Sequence, residues 1–300
     1  MTDSVVAAEP MPFKVLLDEA MKLMRRHFRA IYPAVAIPLA VITALSVVVQ
    51  LRWMKGATGA GARPDIAANC GTFIATLLLG LVVQGLSYSV LTAACVDGAT
   101  GRPIDMGAKW SFVLKPDTLG TLLLAFFAVA AGLICLVLPG FYIALMLSFV
   151  IPVMVVEGLR GGSALGRSWR LVRYNPHRRF LANPGTKIFV LYLVGGLITY
   201  AVSFLIQLPF TAMQGYRVAR TVASGQAPAD AHLMVAPMLW WQIPSTILSS
   251  LVSTAVGVFT SFGLVLLYQD VVRRKEGVDL AAAIESRFAP SGSPTPGSPA

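Results

Sequence analysis

Hydrophobic and polar positions along the chain alternate between long runs without charge and short segments where the charges gather. No charged residue falls between Arg29 and Arg52. A helix over residues 30–51 would reach about 33 Å at 1.5 Å per residue, enough to cross a hydrocarbon core of about 30 Å. Pro33 and Pro38 lie in its first half, where neighbouring helices can cover the carbonyls that a kink releases. A second charge-free run covers 66–96, with the span placed at 71–95. A third, 118–156, would be about 58 Å long as one helix, nearly twice what the core requires. Leu138-Pro139-Gly140 carries a turn signal and divides the run into a hairpin of spans at 119–138 and 141–156. The fifth span is placed at 188–208, ended by Pro209, and the sixth at 244–268, with Trp240 and Trp241 anchoring one interface. The pattern predicts an all-α chain: a polytopic membrane helical bundle of about six transmembrane helices within residues 13–288.

Amphipathic segments border these runs. Phe13, Leu16, Leu17, Ala20, Met21, Met24 and Phe28 recur at helical spacing, opposite Lys14, Asp18, Glu19, Lys22, Arg25 and Arg26. That predicts a helix over 13–28 lying in the interface plane. A second interfacial helix is placed at 104–115. In a third, over 163–173, Ser163 is the N-cap after Gly161-Gly162, and Leu165, Trp169 and Val172 oppose Arg167, Arg170 and Arg173. Residues 1–12 and the Ser-, Pro- and Gly-rich 289–300 are predicted to be disordered.

Composition agrees with a lipid-solvated surface: 56% of residues are hydrophobic and 13% are charged, against about 25% charged in an average soluble protein. The net charge of +10 raises nucleic acid as a partner. The basic residues, however, sit at the ends of apolar runs, which is the positive-inside pattern, and no nucleic acid is expected. With the N-terminus inside and six spans, 19 of the 24 Lys and Arg fall on the inner side and 5 on the outer. This places both termini in the cytoplasm. The first apolar run starts behind a charged helix, too late for a cleaved signal. Cys70, Cys95 and Cys135 show no pairing pattern and read as small packing residues.

An internal repeat is visible. After the second span the chain reads Val96-Asp97-Gly98, then Gly101, Gly107 and Trp110; after the fourth, Val156-Glu157-Gly158, then Gly161, Gly166 and Trp169. One single-residue gap aligns them, and a weaker echo follows the sixth span at Glu276-Gly277 and Asp279. The unit is an interfacial helix, two spans and an acid-Gly turn, used up to three times as parallel repeats.

Few residues invite chemistry. The cluster Arg160, Arg167, Arg170, Arg173, Arg178 and Arg179 either fixes orientation or binds lipid phosphates, each cation near an anionic surface being worth about 1 kcal/mol. Asp97 and Glu157 end their spans and read as structural ion pairs, Glu157 with Arg167 or Arg170; proton or ion coupling is the sharper alternative. Gln84 and Gln207 need hydrogen-bond partners within the membrane. Ser245, Ser249, Ser253, Gly257 and Ser261 form a stripe of small residues, read as a helix-packing seam or else a hydroxyl pore lining. Gly85, Ser89 and Ala93 make a shorter one. The three histidines lack metal-ligand spacing, and no catalytic motif is found, so no metal, cofactor or enzymatic activity is expected.

The segment Leu138-Pro139-Gly140-Phe141-Tyr142 through Ile151-Pro152-Val153, Glu157-Gly158, Ala164-Leu165-Gly166-Arg167-Ser168 and Leu171-Val172 resembles the bacterial glycerophosphoryl diester phosphodiesterase membrane-domain family. The ending from Leu267 to Gly277 is also similar to that family. The resemblance implies membrane location and fold. In the family the membrane domain is sometimes fused to a soluble phosphodiesterase; only a short tail follows the sixth span here, so no catalytic residue carries over. The function expected is a lipid-associated or scaffolding role in a bacterial inner membrane, with membrane lipids as partners. The alternatives are transport of a small molecule, or an accessory role to a lipid-metabolising enzyme.

Overall fold

A computed structural model describes residues 11–57, 66–173, 183–223 and 231–288, and every element among them is a helix. In chain order these are α1 (Phe13–Ala57), α2 (Ile66–Thr100), α3 (Met106–Val113), α4 (Pro116–Cys135), α5 (Val137–Met146), α6 (Val150–Val156), α7 (Gly162–Val172), α8 (Pro184–Ala223) and α9 (Ala231–Phe288). Five segments among the described residues are long and apolar enough to cross a membrane: Phe13–Val49, Pro116–Cys135, Val137–Val156, Pro184–Met213 and Ile243–Lys275. The remaining sequence span, 71–95, forms the middle of α2; most side chains in the first half of that helix lie outside the described residues.

α9 is the central element, with α1, α2 and α8 packed on it. The core gathers at the end where α1 begins, from Leu16 and Ile31 of α1, Val90 and Cys95 of α2, Phe149 and Val153, Leu171 of α7, and Phe262 and Tyr268 of α9. We call this the basic end. Outward faces stay apolar. Only 17% of the apolar stretch of α4, and the same share of α8, is buried, and Phe127, Leu197 and Tyr200 point away from the protein. Side chains of this kind in such numbers are solvated by hydrocarbon. The chain is a multi-pass helical membrane protein.

Several sequence boundaries are corrected. The interfacial helix at 13–28 and the first span are one helix, because Leu16, Ala20, Ile31 and Val35 form a single fully buried line that a bend at Arg29 would break. The hairpin turns at Leu136 (φ −165°, ψ 144°) rather than at Leu138-Pro139-Gly140. Pro139 is accommodated in the first turn of α5, where an N–H has no helical acceptor; the first bond of α5 is Gly140 N–H to Leu136 O at 3.3 Å. What holds the hairpin is close backbone approach: a Cβ on Gly132 would lie 2.8 Å from Gly140 Cα, and one on Gly140 would lie 2.5 Å from Leu133 N. Pro209 does not end the fifth span, since α8 continues to Ala223; in an apolar setting helical geometry satisfies the remaining backbone groups. The expected turn at Glu276-Gly277 is absent because α9 stays helical to Phe288, so the third repeat unit has no turn.

The fourth span is interrupted, α5 and α6 being separated by Leu147–Phe149. α7 patches this break. The Ser168 hydroxyl donates to Met146 O at 2.7 Å and accepts from Phe149 N–H at 3.2 Å, fully buried. The buried face of α7 is therefore Ala164, Ser168, Leu171 and Val172, turned from the Leu165–Trp169–Val172 stripe expected. Trp169 sits at the rim, edge-on to Tyr142 with ring centroids 5.8 Å apart. α7 starts at Gly162 with Gly161 as its N-cap, so Ser163 is not the cap and its hydroxyl donates to Arg160 O instead. At 104–115 the helix is α3, capped by Asp105, whose Oδ1 accepts from Gly107 and Ala108 N–H at 2.9 and 3.2 Å.

Candidate functional site

α2 and α8 both pack on α9 but make no extensive contact with each other. Between them, closed at the back by α1, lies a cavity of about 280 Å³. α9 supplies its floor with Thr246, Ser249, Ser250, Ser253 and Thr254; α8 adds Thr199 and Ser203; α2 adds Gln84, Tyr88 and Leu91; and α1 adds Val35, Leu39 and Thr43. Nine of the thirteen lining residues carry a hydroxyl, one carries an amide and three are aliphatic, with no charge among them. Two hydroxyls are turned back onto their own helix: Ser250 donates to Ile247 O at 2.7 Å and Thr254 to Ser250 O at 2.8 Å. Each keeps lone pairs that accept from a ligand donor. The Ser249 hydroxyl oxygen is itself buried with no hydrogen-bond partner among the described residues, which costs free energy, so this residue lines the volume with its carbon atoms. Such a lining can hold hydroxyl, carbonyl or amide groups; it offers no countercharge to an ion.

A second cavity of about 360 Å³ lies further along α9 towards the basic end. Thr92, Ser148, Tyr192, Thr260 and Ser261 give it polar groups, among apolar neighbours from α5, α6 and α9. Thr92 Oγ1 and Ser261 Oγ are 3.4 Å apart across α2 and α9. Tyr88 lines both cavities.

The stripe Ser245, Ser249, Ser253, Gly257 and Ser261 is therefore not a uniform seam. Ser249 and Ser253 face the first cavity, whereas Gly257 packs under Tyr88 and Leu91 and Ser245 is buried. α8 and α9 also pack tightly off the stripe, where a Cβ on Gly195 would meet Thr260 Cγ2 at 2.4 Å and one on Gly263 would meet Leu191 Cδ1 at 2.9 Å. Gln84 faces the cavity, while Gln207 is exposed on α8 away from both cavities. Periodicity alone did not pick out Tyr88, Thr199 or Ser203, because polar neighbours such as Ser87, Ser89 and Tyr200 leave no single face marked. The signal available for Thr199 and Ser203 was their i, i+4 spacing on one face.

At the basic end the carboxylates are paired. Arg167 Nε donates to both oxygens of Glu157 at 2.9 and 3.1 Å, and Tyr268 Oη donates to Glu157 Oε1 at 2.8 Å. Lys109 meets Asp97 at 2.6 Å. Both turns use a glycine at positive φ, Gly101 at 71° and Gly161 at 61°, at the aligned positions of the repeat. Left-handed backbone here admits glycine without strain. Arg160 pairs with Asp117 at 2.5 Å, and Arg274 with Asp270. Of the six arginines expected to hold lipid phosphate, two are thus bound to carboxylates. Arg170 on α7 and Arg173, its C-cap, are exposed, and Arg178 and Arg179 lie outside the described residues. Among the described residues, no three His, Cys, Asp or Glu side chains gather as a metal site would need.

No protein-family model matches the chain, and no curated protein or solved structure matches it either.

Proposed function

We propose that the protein is an inner-membrane protein of a bacterium, with both termini cytoplasmic, that binds a small uncharged hydroxyl-bearing molecule within the bilayer as a step in its transport. The observation that carries this is the first cavity, whose lining residues include Gln84 and nine hydroxyl-bearing side chains with no charge among them. Hydrocarbon penalises every unpaired polar group, so a cluster of them around an open volume favours a ligand that completes their bonds. The shared ligand chemistry is a polyol, either free or as the head of an uncharged lipid. Glycerol and monoolein serve as the two probes. In detergent, the thermal midpoint of the wild type rises with one or both, and the doubly substituted Gln84→Leu/Ser253→Val protein shows no rise. A response to monoolein alone identifies a lipid head; a response to glycerol identifies a free solute. No response to either in the wild type rejects this function.

A second, lipid-associated role has its own observation. Arg170 and Arg173 extend from α7 beside Trp169, all three exposed, an arrangement suited to anionic headgroups at about 1 kcal/mol per cation. Membership of the glycerophosphoryl diester phosphodiesterase membrane-domain family is proposed on the 138–172 motif. Replacing Arg170 and Arg173 by Gln should lower the phosphatidylglycerol that copurifies; unchanged lipid content removes this role. Arg167 is unsuited to that test, being committed to Glu157.

A further inference from the structure

The two cavities lie end to end along α9. The first uses Thr246 to Thr254 and the second Thr260 to Leu264. From 246 to 264 the helix rises about 27 Å, close to the roughly 30 Å of a hydrocarbon core. One residue lines both volumes. Tyr88 projects from α2 between them, and its ring covers α9 at Gly257, where an added Cβ would stand 3.2 Å from Tyr88 Cε1 and 3.5 Å from Tyr88 Oη. Polar residues continue on both sides: Gln84, Ser203 and Ser253 line the volume before the ring, Thr92, Ser261 and Ser148 the volume after it.

We propose that the two cavities are halves of one uncharged passage across the membrane and that the Tyr88 ring, seated on Gly257, is the gate between them. Glycine at 257 leaves room for the ring to lie against the α9 backbone, and the stacked phenol closes the passage by bulk. Swinging the ring about its side-chain torsions joins the cavities without moving a helix. The uncharged lining sets the cargo class, because polyols exchange water for hydroxyl partners along the way while ions meet no countercharge. The gate rests on the transport reading above and adds a route and a closing residue to it.

Tyr88 is 37% exposed, so shortening it removes the gate with little loss from the core. The test is stopped-flow swelling of proteoliposomes in a glycerol gradient, with chloride leak followed in parallel. Tyr88→Ala should raise glycerol permeability at least severalfold over wild type. Tyr88→Phe, which keeps the bulk, should remain near the wild-type value. Chloride leak should stay unchanged in all three. Unaltered glycerol flux in a Tyr88→Ala protein that elutes as a single species and keeps the wild-type thermal midpoint would overturn the gate. An equal rise in chloride leak would do so too. Failure of the gate is separable from failure of the binding site: retained probe binding with unaltered flux sinks the gate alone, while increased flux with no probe binding supports the passage and sinks the cavity as a binding site.

Discussion

Arg167 closes on Glu157 across the turn between α6 and α7, its Nε donating to both carboxylate oxygens. The same carboxylate accepts from Tyr268 of α9, so one acid at the end of the fourth span joins α6, α7 and α9. Both charged side chains are mostly covered, 23% and 22% exposed. Solvent therefore screens this pair less than one on an open surface.

Arg167→Ala is expected to lower stability by about 2 kcal/mol, since it leaves a mostly covered carboxylate with one neutral donor. Arg170→Ala should change it by less than about 0.5 kcal/mol, because its side chain is exposed. Thermal midpoints in one detergent decide the matter. Equal losses for the two variants would contradict the pairing.

Ser168 is the second position where a single atom serves two helices. Ser168→Ala removes the donor to Met146 O and the acceptor for Phe149 N–H together, in a site with no exposure. Leaving buried backbone groups unpaired costs about 1–3 kcal/mol. Hydrogen exchange should accelerate at residues 146–149 before it does elsewhere. Protection there equal to wild type would show that the hydroxyl does not hold the break.

The charge-free runs were legible in the sequence because the need to avoid charge in hydrocarbon acts on each residue locally. For Glu157 the sequence offered Arg167 or Arg170, and Arg167 is the partner; Lys109, the partner of Asp97, was not singled out. Where helices break was not legible. Leu138-Pro139-Gly140 carries the turn signal, yet the chain turns at Leu136, because the glycine is used for contact with the backbone at Leu133 and is not free to make the turn. The cavity was half legible. Ser249 and Ser253 belonged to the stripe and Gln84 stood out as an amide, but a cavity exists only because α2 and α8 make no extensive contact with each other over α9. That depends on three helices at once, and no local pattern records it.

Gly140→Ala should therefore damage the hairpin while Gly120→Ala should not. The first places a methyl carbon 2.5 Å from Leu133 N, a backbone atom that cannot turn aside; the second meets nothing within 4 Å. Overpacking of this kind costs about 1–3 kcal/mol. Limited proteolysis near residue 136, compared between the two variants, reads the difference. Equal cleavage rates would mean that α4 and α5 are not in backbone contact.

The Asp97–Lys109 pair offers the strongest check on the repeat. Its side chains are 8% and 17% exposed, whereas those of Asp117 and Arg160 are 69% and 39% exposed. Both are close ion pairs at the same end of the bundle, and they differ in their access to water. An exposed pair contributes about 0–1 kcal/mol, while removing one partner of a covered pair leaves a charge without compensation. Lys109→Met should then destabilise the protein by roughly as much as Arg167→Ala, about 2 kcal/mol, because the two residues latch equivalent turns beside Gly101 and Gly161. Arg160→Met should be close to neutral. Raising salt from low to about 0.5 M should erase any effect of Arg160→Met and leave most of the Lys109→Met loss in place, since covered charges are poorly screened. Thermal midpoints at two salt concentrations measure this directly. If Lys109→Met were neutral while Arg167→Ala was costly, the aligned turns would share sequence and backbone shape without sharing a latch.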